Sequence, residues 1–245
     1  MLLIIISLFG LVIGSFISAV SFRYPKNISV VKGRSFCDYC RKKISWYDNI
    51  PLISYILLGG KCRHCKKHIS FRYPAIEIAT AAAFVALTFK GVSLQGVYSI
   101  IIFLILELIF IIDLEHQIIP DTFTFFGLLV IVLYLLLVPN PYSLFTNLFA
   151  GFAAALFLLL ISLATGGRGM GLGDVKFAVL GGLLMGKFTF IWMLTAFLTG
   201  GVVGSILILG RKAGLKDKIA FGPFLVIGIF LAEAFGNSIL SFLNF

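Results

Sequence analysis

The sequence predicts an all-α polytopic membrane protein of about eight transmembrane helices, with one small polar insert after the first helix. Three observations carry that prediction. Hydrophobic residues make up 60% of the chain and charged residues only 12%, well outside the balance of a soluble domain. Apolar stretches recur from Leu2 to Phe245, and a helix of about 20 apolar residues crosses a bilayer. Twelve of the twenty Lys and Arg residues fall within residues 23–74, which marks that segment as the one sizeable water-exposed piece.

The elements follow in order. The first span covers 2–22. No Lys or Arg precedes Arg23 and no small-residue cleavage site follows the apolar run, so it reads as a retained helix entering from outside, not a secretory signal. Residues 23–74 form the soluble insert. Spans follow at 75–89, 95–112, 122–138, 143–164, 175–187, 188–210 and 221–243. The sixth is short and its break from the seventh rests on Gly186-Lys187; if 175–210 crosses differently, the count is seven. The domain division is 1–22, 23–74 and 75–245.

With eight spans, Arg168, Lys176, Arg211, Lys212, Lys216 and Lys218 share the face of the insert, and only Lys90 and Lys187 lie opposite. That is eighteen basic residues against two. Positive charge collects on the cytoplasmic side, so the insert is expected to be cytoplasmic. The net charge of +10 is then a topology signal, with membrane lipid headgroups as the natural contact and no nucleic-acid partner required. No internal repeat is visible. The glycines of Gly166-Gly167-Arg168-Gly169 and Gly181-Gly182 read mostly as close-packing positions.

All four cysteines lie in the insert, as Cys37-x-x-Cys40 and Cys62-x-x-Cys65 with 21 residues between the pairs. Paired knuckles near this separation suit a tetrahedral structural zinc site. Two disulfides or free thiols are the alternative, disfavoured in a reducing cytoplasm. A 52-residue insert poor in aliphatic residues also needs a staple. Neighbouring Lys and Arg offset the charge of four thiolates. His64 and His68 flank the second knuckle and are expected to be solvated, because four cysteines complete the shell.

Two aspartates stand at the ends of apolar runs. Asp113 ends the run from Val97 to Ile112, and Asp174 closes Gly171-Leu172-Gly173-Asp174 just before the run from Val175. The topology puts both on the cytoplasmic face at similar depth. Ionisable groups at membrane depth are costly and usually functional, and two carboxylates brought together can share a proton. The ordinary alternative is that Asp113 is one acid among Glu115 and Asp121 at a helix end, and that 166–173 is a flexible loop. That loop fits neither of the common phosphate-binding glycine patterns.

In sequence order these features resemble one family, the type IV prepilin leader peptidases. The resemblance runs nearly the whole length. Gly14-Ser15-Phe16 with Arg23-x-Pro25 is similar to the opening motif, with Ser18 where asparagine is usual. Ser35-x-Cys37-x-x-Cys40, Trp46-Tyr47-Asp48-Asn49-Ile50-Pro51 and Cys62-x-x-Cys65 resemble its cytoplasmic zinc domain. Phe71-Arg72-Tyr73-Pro74 with Glu77 follows. Asp113-Leu114-Glu115-His116 with Ile119-Pro120-Asp121, and Gly171-Leu172-Gly173-Asp174-Val175-Lys176, resemble its two aspartate motifs, and Phe221-Gly222-Pro223 its closing motif.

The resemblance implies a bacterial inner-membrane aspartic endopeptidase with its active site at the cytoplasmic face. Asp113 and Asp174 would be its catalytic residues and Asp121 secondary. Its partners would be type IV prepilins or pseudopilins, cut after a glycine. It also implies N-methylation of the new N-terminus with S-adenosylmethionine as co-substrate. No glycine-rich nucleotide fold is present, so a methyl-donor pocket is expected between the insert and the helices, open to the cytosol and near the dyad. Two rivals remain: another Gly-x-Gly-Asp intramembrane protease, against which the insert argues, and a proton-coupled transporter using Glu77, Glu107 and Glu233. Inverted repeats or paired broken helices, the usual marks of a transporter, are not evident. The sequence assigns no role to Glu77 or Glu107 beyond helix–helix hydrogen bonding, and no oligomeric state.

Overall fold

The computed structural model describes residues 1–30, 33–89, 91, 93–138, 141–211, 214 and 219–242, and among them helix is the only extended secondary structure. Lys90, Lys212, Lys216 and Lys218, four of the residues behind the charge asymmetry, lie outside the described residues. The chain divides into two compact units, Met1–Leu104 and Ile105–Phe245.

The first unit holds α1 (Leu2–Arg23), the insert with its short helix α2 (Ile53–Leu57), α3 (Arg72–Thr88), and the beginning of α4 (Leu94–His116). α1 and α3 pack directly on one another, and small residues make this possible. A Cβ on Gly10 would fall 2.7 Å from the Ala81 backbone, and one on Gly14 2.8 Å from that of Glu77. α3 begins three residues earlier than expected, taking in Arg72-Tyr73-Pro74. A proline is tolerated in the first turn, where its missing N–H would have no helical acceptor.

The second unit holds the rest of α4, then α5 (Asp121–Leu137), α6 (Pro141–Ala164), α7 (Leu172–Met185), α8 (Thr189–Leu209) and α9 (Gly222–Phe242). α7 is its centre and packs on α5, α6, α8 and α9. Phe177, Leu180 and Leu183 on α7 are shut from solvent, together with Leu158, Trp192 and Leu225 from its neighbours. The Trp192 indole N–H donates to the Leu225 carbonyl at 2.8 Å, tying α8 to α9 inside an apolar interior where an unpaired donor would be costly.

Two kinds of glycine separate here. A side chain on Gly181 would run into the Trp192 indole, and one on Gly182 would meet Gly151 of α6, so these are packing positions as expected. Gly166 and Gly167 are not. Both have positive φ and open space around them, and the Gly167 N–H bonds the Ser162 carbonyl at 2.7 Å. They end α6 with a left-handed cap.

Among the described residues, five helical stretches are long and apolar enough to cross a membrane: Leu2–Lys26, Leu94–His116, Leu144–Ala164, Leu172–Leu209 and Gly222–Phe242. The chain is therefore a multi-pass membrane protein. The sequence-based count of about eight does not follow from the helices alone. α3 and α5 have 17 residues each. α7 and α8 together make one 38-residue apolar stretch, broken at Gly186, where φ is 51°. α7 alone, with 14 residues, spans about 21 Å at 1.5 Å per residue, short of the hydrocarbon thickness.

Candidate active site and zinc centre

Asp113 does not end its helix. α4 runs on to His116, and the turn comes at Gln117, whose φ is 55°. The carboxylate thus sits within the last turn, only 4% exposed. Its partner comes from α9: the Gly222 backbone N–H donates to Asp113 Oδ2 at 2.9 Å. Gly222 is the first residue of α9, so this bond occupies one of the free donors of a helix N-terminus, where the dipole also favours a negative group. The approach needs glycine, since a Cβ there would fall 2.6 Å from that same oxygen.

Asp174 likewise lies inside its helix, as the third residue of α7, and is half-buried. Its Oδ2 accepts the N–H of Gly171, the capping residue, at 3.1 Å, so the aspartate closes its own helix start. The loop leading to it is anchored by Ser162 Oγ, which donates to the Met170 carbonyl at 3.0 Å.

Asp113 and Asp174 come from different helices of the same unit, and the charge of Asp113 acts on Asp174. Local contacts fasten the segments that carry them. A Cβ on Gly173 would fall 3.2 Å from Ile119, so glycine lets the start of α7 lie against the turn after α4. Lys176 Nζ reaches Asp121 Oδ2 at 2.8 Å across the same junction. Asp121 is the first residue of α5 and exposed. It pairs with a lysine and does not join the other two carboxylates.

The insert contains the second constellation. Cys37, Cys40, Cys62 and Cys65 are free thiols, and their four Sγ atoms all lie within 4.8 Å of one another. Zn–S bonds of about 2.3 Å in a tetrahedron require S···S edges of about 3.8 Å, and the Cys37–Cys65 pair stands at 3.8 Å. The donor set therefore fits one zinc ion with a closed shell. Backbone N–H groups of Cys65 and His64 pull the Cys62 thiol down to about 7, while burial pushes Cys37 up to about 11. His64 and His68 are exposed and outside the cluster.

The two knuckles are copies of one turn, although no internal repeat is visible in the sequence. The Cys37 N–H bonds the Lys42 carbonyl and the Arg41 N–H bonds the Cys37 carbonyl; Cys62 with Lys67, and Lys66 with Cys62, do the same. Arg41 and Lys66 both have φ of 58°. The signal is present as Cys-x-x-Cys followed by two basic residues, a unit of six residues in which little besides the cysteines and the charge recurs.

Glu77, left without a role by the sequence, is buried on α3. Its Oε2 accepts the Leu52 N–H at 2.8 Å, so it ties the insert to α3. Leu52 has φ of 59°, a strained setting for a branched side chain. Glu107 is buried on α4 and Glu233 exposed on α9.

Residues 8–90 match the family model described as the bacterial peptidase A24 N-terminal domain. Residues 100–208 match that of the type IV leader peptidase family. A protein of Bacillus subtilis named prepilin leader peptidase/N-methyltransferase is 32% identical, over 98% of this chain and 97% of its own. The chain belongs to the type IV leader peptidase family. Proteins of the same name from Pseudomonas aeruginosa and Legionella pneumophila are 33% and 29% identical, the alignments covering 95% and 97% of this chain and 90% and 93% of theirs. No solved structure matches. Gly222, whose N–H holds Asp113, has no role assigned from the sequence beyond its place in the closing motif.

Proposed function

We propose that the chain is a membrane aspartic endopeptidase that removes the leader from type IV prepilins or pseudopilins and N-methylates the new N-terminus. One observation carries the peptidase reading: Asp113 and Asp174, from different helices, each offer Oδ2 to a backbone N–H, and the charge of Asp113 acts on Asp174. The names of the relatives support both activities.

In the proposed chemistry the pair shares one proton. The ionised carboxylate takes a proton from water, which attacks the scissile carbonyl; the neutral one protonates the developing oxyanion and then the leaving amine. The backbone bonds at Oδ2 hold each carboxylate in place and leave its other oxygen for the chemistry. A peptide bond is shielded within a helix, so the substrate must unwind locally, which an interfacial site facing protein and water permits. Eight crossings of the bacterial inner membrane, with the insert, Asp113 and Asp174 on the cytoplasmic face, complete the proposal; its domains are 1–22, 23–74 and 75–245. The zinc is structural, because four thiolates leave no open position for chemistry.

The test is cleavage of a purified prepilin by the purified chain in detergent. Release of the leader followed by transfer of a labelled methyl group to the product supports both halves. Methylation without Asp113-dependent cleavage would contradict the peptidase half, and cleaved product left unmethylated at saturating S-adenosylmethionine would contradict the other.

A further inference from the structure

The short helix α2 of the insert is inside out. Ile53, Ile56 and Leu57 are exposed, Leu57 by 80%, while the polar Ser54 between them is buried. Ser54 turns inward because its hydroxyl is engaged there: Oγ donates to the Tyr47 carbonyl at 2.8 Å and accepts the Ile50 N–H at 3.1 Å. Trp46, shortly before α2, is 75% exposed, with its ring edge-on to that of Tyr47. Large apolar side chains left bare this close together mark a contact surface.

The depth of α2 identifies what covers that surface. Leu52, the residue that precedes α2, gives its N–H to Glu77 of α3. Glu77 lies directly against Gly14 of α1, where a Cβ would fall 2.8 Å from the Glu77 Cα. Gly14 stands nine residues before Arg23 on α1, about 14 Å along the helix at 1.5 Å per residue. That point is well inside Leu2–Lys26, a stretch long and apolar enough to cross a membrane. The insert is therefore folded back, and α2 starts beside the apolar part of α1. Charge agrees with this position. Residues 23–74 hold twelve Lys and Arg against Asp38 and Asp48, the sign that anionic headgroups attract.

We infer that Trp46 and α2 form a membrane anchor that does not span: their exposed side chains sit among the acyl chains just beneath the lipid headgroups. Lipid is the occupant of this surface. Tryptophan concentrates at that boundary, and an amphipathic helix lying in it buries its apolar face by about 5–10 Å. The anchor gives the insert an attachment to the membrane beyond the helices at its two ends, and so sets the height of the zinc knuckles above the lipid.

The chain has two tryptophans, Trp46 and Trp192, and Trp192 is shut inside the second unit. The experiment is tryptophan fluorescence of the full chain in phosphatidylcholine vesicles, either plain or brominated in the upper part of one acyl chain. Subtracting the signal of Trp46→Phe leaves Trp46 alone. A chain carrying Ile56→Trp with Trp46→Phe reads α2 in the same way. Zinc content and the remaining Trp192 emission report folding. The inference expects brominated lipid to lower the signal at both positions by about twofold or more. Aqueous acrylamide should quench both at least about threefold less than it quenches a free tryptophan amide. Strong quenching by acrylamide with none by brominated lipid, at either position, puts the surface in water and overturns the inference. Protection from both quenchers puts it against protein, a second copy or another chain, and overturns it as well.

Discussion

The backbone N–H of Gly222 donates to Asp113 Oδ2 across 2.9 Å, joining residues 109 positions apart at the start of one helix and the last turn of another. The bond fixes a buried carboxylate, and it depends on the absence of a Cβ. Gly222→Ala should therefore lower leader cleavage at least tenfold, because the new methyl group displaces the carboxylate. Gly201→Ala is the matched control. It introduces the same change where nothing stands within 4 Å, and should leave turnover within about twofold. Equal activity of the two variants would contradict this role for Gly222.

Asp121 and Lys176 make a short ion pair, but their side chains are 54% and 45% exposed. Exposed pairs contribute roughly 0–1 kcal/mol. Asp121→Asn should accordingly be mild, changing cleavage by no more than a few fold, with the loss measurable as a small drop in melting temperature. Abolished turnover would move Asp121 into the chemistry.

The insert should carry one zinc per chain, measurable by metal analysis. Serine at any one of Cys37, Cys40, Cys62 or Cys65 should raise protease cutting within residues 23–74 before cleavage of substrate is lost. A chelator should do the same, because ordering of this small segment depends on the metal. Purified protein without zinc would contradict the assignment.

Asp48 gives the insert a defined pH response. Hydrogen bonding from Arg63 holds its carboxyl below the usual carboxylate range. A depressed folded value means stability that is present above the ordinary Asp pKa and lost as pH falls through the lowered one. Asp48→Asn should therefore raise protease cutting of the insert by a constant factor between pH 6 and 8, with the difference narrowing below about pH 4. A difference that grows on acidification would reverse the sign of the argument.

Much of the fold was legible because its signals are local. Apolar run length located the eight long helices of the described residues to within a few residues, and the Cys-x-x-Cys pairs located the four thiols that fit a zinc ion. The helix ends around the aspartates were less legible. Hydrophobicity stops at Ile112 and resumes at Val175, yet backbone hydrogen bonding carries α4 through His116 and starts α7 at Leu172. Polar residues are helical there because tertiary contacts, not apolarity, decide those turns. The partners of Asp113 and Glu77 were illegible for a different reason. Both are backbone N–H groups, of Gly222 and Leu52, and every residue but proline carries one. The number of crossings also stays beyond a hydropathy reading, because helices of 14 to 17 residues lie below the length at which apolarity alone implies a span.

The central claim is that Asp113 and Asp174 act as one catalytic pair. The direct measurement is the rate of leader release from a purified prepilin by wild type, Asp113→Asn and Asp174→Asn, each confirmed folded by its melting temperature and zinc content. Asparagine keeps the shape and the acceptor for Gly222 or Gly171 but gives up the titratable proton. The account predicts that each variant alone loses cleavage by several orders of magnitude, and that the double variant is no worse than either. Near-normal turnover by either single variant would contradict it.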